Sequence, residues 1–256
     1  MPWAHAAFNE GASSKQVLQI RFQPIASVLD SRGKWAEALS SSLALRNWRI
    51  GKDRFDVYDL AKQSRVFVSH RNAGCVLHGW TSRETFTDFA VSFLRELFKL
   101  PAFLSGVYVQ RIGIRLTAAI PVGLTFEDLV VQLSGGKKAR LAALEGATIE
   151  DLAFVSNYAT ESGKIHTQIG PMRRDEFAKA LAWEIRDVGD DTAQRPDTYP
   201  EVGIFGDIDC WKAPAVVMKR NEVEKLGRTY AGACRARLKE LLELYESGED
   251  SGNEAS

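Results

Sequence analysis

The segment Val107-Tyr-Val-Gln-Arg-Ile-Gly-Ile-Arg-Leu-Thr-Ala-Ala-Ile-Pro-Val122 reads as one long strand whose apolar face changes phase. Val107 and Val109 share one parity, while Ile112, Ile114, Leu116 and Ile120 share the other. Side chains of a strand alternate strictly, so a phase change near Gln110–Arg111 requires an inserted residue, a β-bulge or a bend. A long bulged strand belongs to a curved sheet. Pro121 ends it, having no N–H to give to a ladder. Beyond it, Thr125 is placed to cap a helix running through Leu133 and stopping at Gly135–Gly136.

The same alternation appears upstream in Lys15–Gln23. There Leu18, Ile20 and Phe22 oppose Gln19, Arg21 and Gln23, and Pro24 stops the strand. A short helix is expected over Lys34–Leu45, then strands over Asp53–Leu60, Arg65–Arg71 and Cys75–Trp80. Asn72-Ala73-Gly74 is the expected turn of the last hairpin. Thr81 and Glu84 have capping-box spacing. Behind them Phe86, Phe89, Ala90, Phe93, Leu94, Leu97 and Phe98 form a helical stripe, which we assign to core packing rather than to a ligand site. Pro101 closes that helix. Downstream, a helix is expected around Lys138–Leu144, strands over Leu152–Tyr158 and Lys164–Ile169, and a helix over Asp175–Ile185. A surface loop over Asp187–Pro200, a strand over Glu201–Trp211 and an amphipathic helix over Asn221–Glu246 complete the chain.

These elements predict an α+β fold: a broad, twisted antiparallel sheet with helices mainly on one face. One domain is expected over residues 15–246, with a flexible start (1–14) and a disordered tail (247–256). Its halves, 15–106 and 107–246, echo each other as β-α-β-β-α units. Residue identity between them is weak and leaves duplication open. The second sheet face is expected to be free for water or a partner.

Bulk composition narrows the function classes. The chain has 256 residues, 45% of them apolar, enough for a full core. Lys plus Arg equals Asp plus Glu at 33 each, so no net charge draws it to nucleic acid or to an anionic membrane. Cys75, Cys210 and Cys234 are odd in number and widely spaced, which is no disulfide framework. Residues Met1–Gln16 lack the apolar core of a signal peptide, and no stretch approaches the ~20 apolar residues of a membrane span. A cytoplasmic location without a membrane partner is the resulting expectation.

Three segments, Val17-Leu-Gln-Ile-Arg-Phe-Gln-Pro24, Val109-Gln-Arg-Ile-Gly-Ile-Arg115 and Phe205-Gly-Asp-Ile-Asp209, occur in an order that spans most of the chain. In this order they resemble a sporadically distributed, uncharacterised bacterial protein family. Its members open with an Arg-Phe-x-Pro strand and carry a central Arg-hydrophobic-Gly-hydrophobic-Arg strand. An aromatic often follows the second arginine in that family, where this chain has Leu116. The resemblance implies an α+β fold and no particular activity or catalytic residue.

Two charged groups are candidates for binding. Asp207 and Asp209 leave one strand on the same face, the arrangement of a Mg²⁺ or Mn²⁺ site with phosphate as a further ligand. Arg21, Arg111 and Arg115 lie on the polar parity of their strands and would cluster if those strands were neighbours. Such guanidinium groups grip phosphate or carboxylate bidentately. The plainer alternative is a cross-strand ladder joining the arginines to the two aspartates, and we favour it. His70, Cys75 and His78 have metal-like spacing. With a turn at Asn72–Gly74, however, His70 and His78 share a face with Val68 and Val76, and Cys75 points away. Gly135-Gly136-Lys137-Lys138 lacks the P-loop pattern and reads as a helix C-cap. Leu45–Arg54 is basic and carries Trp48, as a nucleic-acid contact would, but a solvated helix-to-strand connection is the simpler reading. The last helix could serve as a dimer surface; packing on the sheet is preferred.

No nucleophile motif or cofactor motif occurs. No catalytic residue, metal ligand or cofactor is therefore assigned. The expected function is a non-enzymatic binding or accessory module for a protein partner or anionic ligand, centred on Arg21, Arg111, Arg115, Asp207 and Asp209. Bacterial defence or a toxin–antitoxin pair is the context that the resemblance suggests. The alternatives are a metal-dependent enzyme acting on phosphate-containing substrates and a nucleic-acid-binding protein.

Overall fold

A computed structural model describes residues 12–79, 83–134, 149, 151–182 and 199–246. Its strands are β1 (Ser13–Phe22), β2 (Asn47–Ile50), β3 (Arg54–Asp59), β4 (Ser64–Ser69), β5 (Asn72–His78), β6 (Val107–Pro121), β7 (Phe154–Thr160), β8 (Gly163–Arg173), β9 (Val202–Lys212) and β10 (Val216–Met218). The helices are α1 (Ser27–Asp30), α2 (Arg32–Leu43), α3 (Arg83–Leu97), α4 (Phe126–Leu133), α5 (Arg174–Ala180) and α6 (Arg220–Glu246). The expected helix at Lys138–Leu144, the Thr81 cap, most of the Asp187–Pro200 loop and the tail lie outside the described residues.

The fold is α+β. One antiparallel sheet runs β2-β3-β4-β5-β1-β6-β9-β8-β7, with β10 also on β6. The opening strands β1 and β6 are neighbours at its centre. In each half the last strand of a meander returns to the opening strand: β5 to β1, and β9 to β6. A long helix follows each meander, α3 in the first half and α6 in the second. Each half therefore holds a longer meander than the β-α-β-β-α expectation. The phase change in β6 is a bulge: Arg21 pairs with Arg111 and Phe22 with Val109, so Gln110 is the extra residue. Val109 and Ile112 both reach the core as a result.

Helices α3 and α6 cover one face. The phenylalanine stripe of α3 is core, as are Leu238, Leu241 and Leu242 of α6. The Tyr230 hydroxyl of α6 donates to the Ser162 carbonyl (2.7 Å), and the Cys234 thiol donates to the Ile114 carbonyl (3.2 Å), which fixes the helix on the sheet. At the start of α4, Thr125 Oγ1 accepts from the Asp128 N–H at 3.1 Å. Thr125→Ala is expected to cost about 1 kcal/mol in urea unfolding, the usual loss for an N-cap.

Four expectations need correction. First, the β4–β5 reversal lies at His70–Arg71, not Asn72–Gly74, because the Ser69 hydroxyl accepts from the Arg71 and Asn72 N–H groups (3.1 and 3.0 Å) and closes the turn there. Gly74 instead sits inside β5, where a Cβ would run into the Leu18 carbonyl and the Phe67 ring. A small shift of the turn changes which residues share a face. Val66, Val68, Ala73, Cys75 and Leu77 therefore share the core, whereas His78 pairs with Lys15 in the ladder. His70, Cys75 and His78 do not converge, and burial pushes the Cys75 thiol pKa up. Second, the Leu45–Arg54 connection contains the edge strand β2. Third, β1 starts at Ser13, inside the stretch expected to be flexible, and pairs there with Ala119. Fourth, the second sheet face is not wholly open: α5 packs on it through Phe177, which clusters with Leu181, Ala119 and Phe205.

Candidate functional site

On that second face, alternate residues of β1, β6 and β9 form a trough of about 370 Å³. Antiparallel register brings the candidates together in rows: Arg21 beside Arg111, Gln19 beside Gly113, Val17 beside Arg115 and Lys15 beside Thr117. Ala180 of α5 and Phe205 line the trough together with these rows. Gly113 keeps the floor low; a Cβ there would stand 2.7 Å from the Trp211 Cβ.

All five predicted residues converge here. Arg115 grips Asp207 bidentately, Nε to Oδ1 and Nη2 to Oδ2, both at 2.7 Å. The Thr117 hydroxyl adds a third bond to Oδ1 at 3.0 Å. Arg111 Nη2 donates to Asp209 Oδ2 at 2.7 Å. The Arg115–Asp207 pair is diagonal, since the register partner of Arg115 is Asp209 and that of Thr117 is Asp207, while Arg111 reaches further along β9 to the residue opposite Arg115. Long guanidinium side chains span such diagonals. The Asp207 side chain is 3% exposed and that of Arg115 is 57% exposed, so the acid is the buried member. Its hydrogen bonds push the Arg115 pKa further up against the pull of burial. The ladder favoured on sequence grounds is thus present.

Arg21 is different. Its guanidinium makes one hydrogen bond among the described residues, Nε to Gln19 Oε1 at 3.0 Å, and it has no acid partner there. It also stands directly opposite Arg111 in the ladder. Like charges at such positions repel, with Cβ atoms about 5 Å apart. Lys15 is partly committed elsewhere, donating to the Ala182 carbonyl beyond α5 at 3.3 Å. The trough thus brings four cations over two carboxylates, with the least compensated charge at its Arg21–Arg111 end.

No family model matches the chain, and no curated protein matches it. The trough must therefore be interpreted from its own chemistry.

Sequence reasoning missed three contributors. Lys164 lies over the Trp211 ring at 5.1 Å, as the predicted Arg111 does at 4.9 Å, and extends the basic surface toward β8. The Thr117 bond was foreshadowed by its parity with Arg115. The α5 wall was not, because it depends on a tertiary contact. A second ion pair, Arg65 with Asp56 (3.5 Å), is buried in the other half. Burial pushes the Asp56 pKa up, while Arg54, Arg65 and Arg49 pull it down.

The two alternative chemistries find less support. Both Asp207 oxygens are occupied by Arg115 and Thr117, so a metal ion would have to displace a bidentate guanidinium. No cluster of three metal-ligating side chains occurs among the described residues. In the basic Leu45–Arg54 stretch, Arg46 meets Asp59 (3.6 Å) and Arg54 meets Asp56 (3.1 Å), which neutralises charge that nucleic acid would need. No helix among the described residues is long and apolar enough to cross a membrane.

Proposed function

We propose that the protein is a non-enzymatic binding module whose trough receives an anionic group, carried by a small ligand or by a partner protein. The observation that carries this reading is the apposition of Arg21 and Arg111 at the floor of a concavity. Arg111 is already paired with Asp209, whereas Arg21 has no acid partner among the described residues. Two opposed guanidinium groups are an unfavourable arrangement that an anion between them would relieve, while Arg115 and Asp207 hold the floor in shape. On the family resemblance, we place such a module in bacterial defence or a toxin–antitoxin pair.

Arg21→Glu is the informative variant because Arg21 belongs to neither ion pair. The test measures thermal shifts with phosphate, citrate and an acidic hexapeptide at fixed ionic strength. Wild type is expected to gain stability with at least one anion, by about 2.7 kcal/mol at a hundredfold excess over Kd. Arg21→Glu should fold normally and lose that response. A wild type indifferent to every anion, or a variant that responds equally, would remove the basis for the proposal. In parallel, a partner captured by tagged wild type from its native cells should be lost with Arg21→Glu.

A further inference from the structure

Arg111 cannot hold an incoming anion and Asp209 equally well. Its Nη2 donates to Asp209 Oδ2 at 2.7 Å, and the two side chains are only 24% and 23% exposed. The far side of Asp209 belongs to β8, where the register sets His166 directly opposite the acid. Arg115, Asp209, His166 and Asn157 thus form one row across β6, β9, β8 and β7. Directly opposed residues have Cβ atoms about 5 Å apart.

The imidazole is oriented. Its Nδ1 lies 2.9 Å from Asn157 Oδ1, an oxygen that only accepts, so Nδ1 carries the proton of the neutral ring. Nε2 then bears the lone pair and makes no hydrogen bond among the described residues. Asp209 Oδ1 also has no hydrogen bond there. A second proton on the ring makes Nε2 a donor beside that open carboxylate oxygen, with the Asn157 bond still in place.

The charges facing the ring come from each neighbouring strand. β9 presents Asp209, and one row on Asp207, which Arg115 already holds. β7 brings only the neutral Asn157. On β8 itself, Lys164 lies over the Trp211 ring, and Gln168 stands opposite Asp207. Arg111 and Arg115 face it from β6, beyond Asp209. Helix α5 meets the sheet at Phe205, four residues along β9; its Lys179 pairs with Asp175 (3.3 Å) and its Glu176 accepts from the Arg173 N–H (2.7 Å).

We propose that His166 is a proton-operated partner switch for Arg111. On protonation, Nε2–H of His166 donates to Asp209 and releases the Arg111 guanidinium, which then grips the anion together with Arg21. This assignment rests on the anion-binding reading of the trough. Histidine changes charge between about pH 5 and 8, so anion affinity should rise as pH falls across that window. By linkage, binding of the anion should take up a proton.

Sulfate is the probe, because it keeps its charge throughout that range. Titration calorimetry from about pH 5.5 to about pH 8, at fixed ionic strength and in two buffers of different ionisation enthalpy, reads both affinity and proton uptake. Wild type is expected to bind at least about fivefold more tightly at the acid end, the lower bound of ordinary coupling between sites, with net proton uptake. Two variants should lock the switch in opposite states. His166→Gln should bind weakly at every pH, and Asp209→Asn as tightly at every pH as wild type does in acid. His78→Gln, beside Lys15 at the other end of the trough, should keep the wild-type dependence. A wild type whose affinity ignores pH, a His166→Gln protein that keeps the dependence, or an Asp209→Asn protein no tighter than wild type at the alkaline end would each overturn the switch. Loss of binding in Arg21→Glu would then leave the trough reading standing. Sulfate bound by no variant at any pH, or equally by Arg21→Glu, would remove the trough reading and the switch with it.

Discussion

Arg115→Ala is expected to destabilise the protein by about 3 kcal/mol, although the side chain it removes is mostly exposed. The cost arises at the partner. Asp207 is buried beneath Arg115, and truncation leaves its charge with the Thr117 hydroxyl alone. Removing one member of a buried pair strands the other, at a cost near 3–5 kcal/mol; water entering the trough should hold the loss at about the lower end of that range. Asp207→Asn should cost less, because it strands a guanidinium that water can reach. The double variant should be more stable than additivity predicts, since neither charge is then left alone. Urea unfolding of the four proteins at neutral pH measures the cycle. An Arg115→Ala loss below that of Asp207→Asn would contradict this account of the ladder.

The second large effect lies in the core. Phe103→Ala is expected to cost about 3–5 kcal/mol, the range for deleting a buried aromatic side chain. Phe103 is fully buried in the turn after α3, where it meets Phe22 of β1 edge-to-face at 5.4 Å. It also meets Trp35 of α2 and Phe98 at the end of α3, each at 6.2 Å. One ring thus joins the sheet to two helices, and its removal leaves a cavity that rigid elements on three sides cannot collapse to fill. Thermal unfolding should show a fall of roughly 10 °C for a chain of this size. Phe103→Leu keeps most of the volume and should cost clearly less. A Phe103→Ala protein melting within about 2 °C of wild type, a shift worth under about 1 kcal/mol, would show that the junction repacks.

Much of this was legible because strand and helix periods differ. Alternation in Leu18–Phe22 and the phase change at Gln110 gave β1, β6 and the bulge between them. The parity of Arg21, Arg111, Arg115, Asp207 and Asp209 put them on one face before their distances were known. Parity says nothing about register along a strand. The diagonal pairing of Arg115 with Asp207, rather than with its opposite number Asp209, had to come from the fold.

The failures share a cause. Asn72-Ala73-Gly74 has strong turn composition, yet the Ser69 hydroxyl placed the turn earlier, and Gly74 is needed for a close approach of strands. That displacement put Val66, Val68, Ala73, Cys75 and Leu77 on the core face; His70, Cys75 and His78 do not converge with either turn. Strands β2 and β10 are four and three residues long, too short for a period to show. Phe103 stands alone in a turn, with no pattern to mark it as core.

The sequence by itself determined the α+β class, the central strands, the buried stripe of α3 and the shared face of the five charged residues. Each depends on local periodicity, which the chain carries wherever it folds. Tertiary structure alone decided the strand order, the ion-pair partners, the α5 wall of the trough and the opposition of Arg21 to Arg111. Each of these depends on which distant segments become neighbours, and that is set by burying both halves' apolar faces under α3 and α6 at once.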